Sequence, residues 1–465
     1  MTTTRIAGSF RDPAGFLFRH DGVLYRQVNP VFADDWEAVA GTGLFEALWD
    51  AGLLVRHEVL DADAATELAT GDAHVVLRPD ELPFVSQPHE WAPAQRRDAA
   101  LVTLEAQRIA IEHGCTLRDA SAHNVVLHRG RAVLIDTLSF GPWTEGDPWV
   151  AYGQFCRHFL APLALETVVD HRLRRLLVAD VDGVPLDLAS TLLPTRTKFK
   201  PGLLAHLHAH AKASGRGEVD PDAAPKRTVS FSQRAMLGLV NQLRGIVDGL
   251  TWDDIATTWS DYDAHLDHYT AAATQAKEDL VASTVADLAP ATVWDLGANQ
   301  GRFSRLAAAT GAHVVAWDID EGAVERNWRL LADAPLTTGE VLPLILDLAN
   351  PSPALGWAHT ERPSLTDRGP VDLVLALALI HHLAIGNNVP LSDVLGHLTS
   401  LGDHVLVEWV PKDDEKVRVL LATREDVFAD YTRDGFEAAA TAHADIVSAT
   451  ALPDSGRVLY LLRRR

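Results

Sequence analysis

Two stretches of this chain carry polar side chains at spacings that could do chemistry. The first, "ATVWDLGANQGRFSRLAAATGAHVVAWDID" (residues 291–320), reads as strand, glycine-bearing turn, helix, strand. Gly297 and Gly301 bracket Ala298, Asn299 and Gln300, a turn whose backbone can pass close to a ligand, while Asp295 precedes it and Asp318 ends the second strand. An acid in that last position can grip ribose hydroxyls. Asp347 ends a third apolar run, His381 and His382 follow a fourth, and Glu408 sits in a fifth. At the carboxyl ends of strands in an open α/β sheet such groups are placed to hold a ligand or take a proton from it. The second stretch, "LRDASAHNVVLHRGRAVLIDTLSFG" (residues 117–141), sets Asp119, Asn124 and Asp136 along a polar loop, a strand, a turn at Arg129-Gly130 and a second strand.

The elements that must position these groups fall into two patterns. Downstream, strands at residues 293–296 and 313–317 flank a helix over 302–309, and alternation continues through "VLPLILDLAN", "VDLVLALALIHHL", "HVLVEWVPKDD" and "RVLYLLRRR". This predicts an α/β sheet. Upstream, "GFLFRHDGVLYRQVN" is a hairpin turning on Asp21-Gly22. A helix over 33–51, strands in "LLVRHEVL" and "AHVVLRP", and a helix over 95–113 running into the polar loop predict an α+β domain. The stretch "ASGRGEVDPDAAPKR" (213–227) is polar, bears Gly and Pro, and reads as a linker. The expected domains are therefore 1–212 and 251–465, with a linker and connecting helix over 213–250.

The downstream turn, G-A-N-Q-G after Asp295, lacks the G-x-G-x-x-G dinucleotide fingerprint. It resembles motif I of class I S-adenosylmethionine methyltransferases, with the acidic Asp318 following it. That resemblance implies a Rossmann-like mixed sheet of seven strands. It also implies S-adenosyl-L-methionine as cofactor, held by Asp295, Gly297, Asn299, Gly301, Asp318 and, beside the adenine, Asp347. The helical lead-in "TWSDYDAHLDHYTAAATQAKEDLV" bears Tyr262 and Tyr269, in a segment that often folds over the cofactor in this class. A sulfonium methyl is already activated, so the protein mainly aligns the acceptor and excludes water. His381 or His382 is then the candidate base, and Glu408 a group to orient an amine or hydroxyl. No metal is expected there, because adjacent histidines seldom face one ion together.

The upstream loop, "LRDASAHNVVL" followed by "LIDTLSF", resembles protein kinases and aminoglycoside phosphotransferases. The resemblance implies ATP and magnesium as ligands, with Asp119 matching the base and Asn124 and Asp136 the metal ligands. Two departures stand out. Leu117 replaces the usual histidine, and "LYRQV" offers Arg26 where a phosphate-gripping lysine is usual, an exchange that alters both shape and donor geometry. The glycine loop "GSFRDPAG" is also poor. The expectation is a kinase-like domain kept for substrate or nucleotide recognition rather than phosphoryl transfer. Both halves together resemble the bacterial nodulation-protein-like methyltransferases, through "IDTLSF", "FCRHFLAPLAL", "DLGANQGRFSR" and "IGNNVP". This implies a methyltransferase acting on an O or N atom of a small or conjugated metabolite.

Composition sets the outer bounds. With 465 residues, 47% of them hydrophobic, each half can bury its own core. Two cysteines exclude a disulfide framework and point to a reducing compartment. A formal charge of −22 argues against a nucleic-acid partner, since phosphate binding needs clustered Lys and Arg. No apolar run reaches bilayer-spanning length and the first residues lack signal-peptide regions, so no membrane partner and a cytoplasmic location are expected. Of His206, His208 and His210 only His206 and His210 share a helix face, and no third ligand is evident for a metal site.

Overall fold

A computed structural model describes residues 3–214, 230–253, 257, 270–422 and 424–465. The chain forms two compact units. The first is Met1–Asp253 together with Leu355–Arg362, and the second is Asp254–Ala354 with Pro363–Arg465.

The first unit opens with a five-stranded antiparallel sheet. Its strands are β1 (Thr3–Arg5), β2 (Gly15–His20), β3 (Val23–Val28), β4 (His57–Val59) and β5 (Val75–Pro79), in the order β1-β2-β3-β5-β4. The β2–β3 hairpin turns on Asp21 and Gly22, both with positive φ, the geometry that matches strand twist. Phe16, Phe18 and Val76 bury one face of the sheet. A 20-residue helix, Pro93–Glu112, then leads into two small strand pairs, one nested within the other in sequence. β6 (Cys115–Leu117) pairs with β9 (Phe140–Pro142), and β7 (Val125–His128) with β8 (Arg131–Leu134).

The expected connecting helix runs Gln233–Asp248, capped by the Ser232 hydroxyl, which accepts the Ala235 amide at 3.2 Å. Met236, Val240, Leu243 and Val247 recur at helical spacing and are all buried. Arg244 also bonds Glu105 at 2.8 Å, on the helix Pro93–Glu112. The helix is thus part of the first unit and not a free connector, because its apolar stripe needs a partner to cover it.

The second unit is a seven-stranded mixed sheet. Its strands are β10 (Thr292–Leu296), β11 (His313–Asp318), β12 (Glu340–Ile345), β13 (Val371–Ala376), β14 (Gly402–Trp409), β15 (Ala444–Ala451) and β16 (Val458–Arg464). Their order is β12-β11-β10-β13-β14-β16-β15, with the first five parallel and β16 antiparallel to both neighbours. The strands β10 to β14 read as near-continuous apolar runs because both faces of a parallel sheet are covered. β10 lies between β11 and β13, so the direction of winding reverses there. Loops leaving two adjacent strands toward opposite sides open a crevice at their carboxyl ends, where such sheets bind ligands.

Among the described residues no helix is long and apolar enough to cross a membrane.

Candidate functional site

The crevice at the β10/β13 reversal holds a cavity of about 350 Å³. Gly297, Asn299, Asp318, Asp347, His381 and His382 line it, together with an apolar wall that includes Ile319 and Leu379. The turn after β10 is built by hydrogen bonds from below. The amides of Gly297 and Ala298 both donate to the Trp317 carbonyl, at 2.8 and 2.9 Å, and the Gly301 amide closes on Ala298 at 2.8 Å. Gly297, Asn299 and Gly301 all have positive φ, at 78°, 50° and 77°. Asparagine tolerates that region better than most side chains, and its Oδ1 accepts the next amide, of Gln300, at 2.9 Å.

Asp318 is the keystone of the turn. Its Oδ2 accepts the Asn299 amide and its Oδ1 the Asp320 amide, each at 2.7 Å. Burial raises its pKa to about 6 despite those two donors. A carboxylate offers about four acceptor positions, so two remain for hydroxyls of a ligand. Asp347 at the end of the next strand lines the same cavity and accepts the Ala349 amide at 2.9 Å. Ile319 is 55% exposed although apolar, and it borders the cavity.

Not every residue expected to hold the cofactor lines the cavity. Asp295 is 2% exposed and lies beneath the turn, where its Oδ2 accepts the Ser304 hydroxyl at 2.6 Å. Burial raises its pKa to about 6, and its role is to tie β10 to the following helix. A Cβ on Gly301 would meet Asn327 Nδ2 at 2.5 Å, so positive φ and a tight neighbour demand glycine there, not a ligand's path. Tyr262 and Tyr269 lie outside the described residues.

His381 and His382 follow β13 with ring centroids 4.2 Å apart. His381 is almost fully buried, its Nδ1 has no hydrogen-bond partner, and desolvation holds its pKa well below the ordinary imidazole range. Burial lowers His382 as well. Burial thus favours the neutral form of both rings.

Glu408 is corrected from an acceptor-orienting group to a buried anchor. It is 0% exposed and takes Lys277 Nζ at 2.6 Å and Arg457 Nη1 at 3.2 Å. Charges removed from water must be paired, and here the pairing is with residues far apart in the chain. Arg457 also bonds Asp414 at 2.8 Å and borders the cavity, as does Lys416. Sequence spacing offered no signal for Lys277, Lys416 or Arg457.

In the first unit Asp136 is held by a guanidinium, Asn124 reaches it through Ser139, and Asp119 has partners of its own. Arg26 on β3 places Nη1 2.7 Å from Asp136 Oδ1 and Nη2 3.1 Å from Asp12 Oδ2. The Ser139 hydroxyl donates to Asp136 at 2.5 Å, and Asn124 Nδ2 donates to Ser139 at 3.2 Å. Asp119 accepts the Ser121 amide at 2.9 Å and Gln154 Nε2 at 2.6 Å. A Cβ on Gly15 would fall 2.1 Å from the Gln27 carbonyl, so this glycine serves strand packing and not a phosphate cradle. The histidine triplet is dispersed: His206 meets the Tyr152 hydroxyl at 2.7 Å, His208 sits between Ser190 and Thr197, and His210 stacks on Tyr152.

Comparison with known proteins gives one strong relative. The chain is 35% identical over 465 residues to nodulation protein NoeA of Rhizobium meliloti (strain 1021), covering 99% of this chain and 96% of that protein. No family model matches. Among solved structures, magnesium protoporphyrin IX methyltransferase from Synechocystis PCC 6803 with bound SAH is 19% identical, with a TM-score of 0.30, over 41% of this chain and 84% of that one. WbdD in complex with a kinase inhibitor is 20% identical, with a TM-score of 0.30, over 40% of each chain.

Proposed function

The chain belongs to the family of nodulation protein NoeA, and from that premise we propose that it is an S-adenosylmethionine-dependent methyltransferase whose second unit carries the chemistry. One observation carries the proposal: a single cavity at the sheet's reversal gathers the glycine turn, two strand-end acids and a histidine pair. The residues fit the cofactor. Asp318 has acceptor positions left for ribose hydroxyls, Asp347 lines the same cavity and can accept from an adenine amine, and Ile319 and Leu379 supply apolar surface.

When bound, the cofactor supplies a methyl group already activated on sulfur. This chain's residues orient the acceptor, exclude water and accept the acceptor's proton, with His382 the better-placed base because it is the less deeply buried of the two. The acceptor class we propose is an O or N atom of a small or conjugated metabolite. Incubating the protein with cell extract and labelled S-adenosylmethionine, followed by mass spectrometry, tests the reading. Absence of any labelled product, together with no binding of S-adenosylhomocysteine, would sink it.

We propose further that the first unit is a kinase-like domain serving substrate or nucleotide recognition. Its support is the order of antiparallel sheet, long helix and two small strand pairs, with Asn124 joined to Asp136 through Ser139. As the side chains stand they do not fit a magnesium ion, since Arg26 already neutralises Asp136 and Asn124 is bonded to Ser139. We therefore derive no phosphoryl-transfer step.

A further inference from the structure

The cavity of the second unit is electrically lopsided. Asp318 and Asp347 stand at one end, and Lys416 and Arg457 belong to the other side. Arg457 is already engaged, since it bonds both Glu408 and Asp414, and Glu408 also takes Lys277. Lys416 differs. It borders the cavity and is only half-buried, and among the described residues its ammonium has no protein partner, while its backbone amide is the group that meets Asp414, at 2.9 Å. The wall beside it is held in place. Arg424, just after the helix Glu415–Leu421, bonds the Ile385 and Gly386 carbonyls of the loop that follows His382.

A lysine ammonium left unpaired beside a ligand cavity, in a chain of net charge −22, is a positive group free to meet an anion. It is worth most when the cavity fills and water leaves, since charge-assisted hydrogen bonds strengthen as the local dielectric falls. We infer that Lys416 docks an anionic oxygen group, carboxylate or phosphate, carried by the methyl acceptor, so that the substrates are acidic metabolites held with their anion near His381 and His382. This rests on the methyltransferase reading above. The competing assignment for Lys416 is the carboxylate of the cofactor's own amino-acid arm.

The full chain and its Lys416→Gln and Lys416→Arg variants separate these cases, with melting curves confirming that each is folded. Calorimetry with S-adenosylhomocysteine comes first, followed by titration with inorganic phosphate and with acetate, each in the presence and absence of S-adenosylhomocysteine. The expected result is S-adenosylhomocysteine affinity unchanged in Lys416→Gln, anion binding weakened about tenfold, and anion binding kept in Lys416→Arg. Preference for phosphate over acetate would identify the acceptor as a phosphate ester, and the reverse a carboxylic acid. Equal anion binding in wild type and Lys416→Gln, or none in either, overturns the inference. So does a tenfold loss of S-adenosylhomocysteine affinity in Lys416→Gln, which gives Lys416 to the cofactor. If wild type binds no S-adenosylhomocysteine yet binds phosphate through Lys416, the methyltransferase reading fails and the anion site stands.

Discussion

Asp318 holds the glycine turn in shape from the neighbouring strand: its Oδ2 accepts the backbone amide of Asn299 at 2.7 Å. The same carboxylate borders the cavity, so one side chain both shapes the turn and faces the space beside it. Asp318→Ala should weaken S-adenosylhomocysteine binding by about 1–3 kcal/mol, the usual cost of losing charge-assisted hydrogen bonds. Asp318→Asn should rescue little, because an amide would turn an N–H toward the amide of Asn299 or of Asp320. Unchanged affinity in both variants, read by calorimetry, would remove Asp318 from the ribose site.

The raised pKa of Asp318, about 6, makes binding pH-dependent in a defined direction. Ribose hydroxyls donate to the ionised carboxylate, so affinity should be flat above about pH 7 and fall as pH drops through about 6. A bound ligand that favours the charged form lowers that pKa, and the weakening then approaches tenfold per unit of pH at most. Calorimetry from pH 5 to 8 checks this. Affinity that rises toward low pH would contradict a carboxylate acceptor.

Glu408 is the hinge of a buried charge cluster, and its loss should be felt in folding before catalysis. Glu408→Ala strands Lys277 and Arg457 without their shared partner, and removing one member of a buried pair costs about 3–5 kcal/mol. A clear fall in the melting transition of the second unit is expected. A variant that melts like wild type but has lost turnover would return Glu408 to the list of acceptor-contacting groups.

The histidine pair divides by depth. His382→Ala should lower kcat by ~10²-fold while S-adenosylhomocysteine affinity stays near normal, as for loss of a general base. Because burial keeps its pKa below the ordinary value, the base should stay competent as pH falls to 6.5 and somewhat beyond. Unaltered turnover in His382→Ala would mean that the acceptor arrives already deprotonated.

The sequence made the sheet and its turn readable because each local signal agreed with the global one. Apolar runs of strand length, glycines at positive φ and acids at strand ends all point to one topology, and the strands from Thr292–Leu296 onward follow it. What stayed hidden was set by pairing across long separations. Nothing near Glu408 in the chain announces Lys277, 131 residues away, or Arg457, 49 residues away. Asp295 and Gly301 carry the same residue types whether they face a ligand or the layer beneath it, and only packing against Ser304 and Asn327 decides. Leu355–Arg362 clusters with the first unit although the second surrounds it in sequence, which no linear reading of composition could anticipate.

Arg26 bears on the proposed recognition role of the first unit. Its guanidinium bridges Asp136 and Asp12 at 2.7 and 3.1 Å, whereas phosphoryl transfer would require a cation free to meet phosphate oxygens. A protein cation fixed between two carboxylates stabilises the loop without metal, and supplies little of the charge neutralisation that the transferred group demands. Wild type should therefore give no labelled product with γ-labelled ATP, magnesium and the natural acceptor, and its melting temperature should not respond to magnesium. Arg26→Ala leaves Asp136 and Asp12 facing each other uncompensated, so it should melt lower than wild type and recover in part when millimolar magnesium is added. Asp119→Ala should leave methylation of a small test acceptor intact. Labelled product from wild type that disappears in Asp119→Ala would overturn this account and make the first unit a working phosphotransferase.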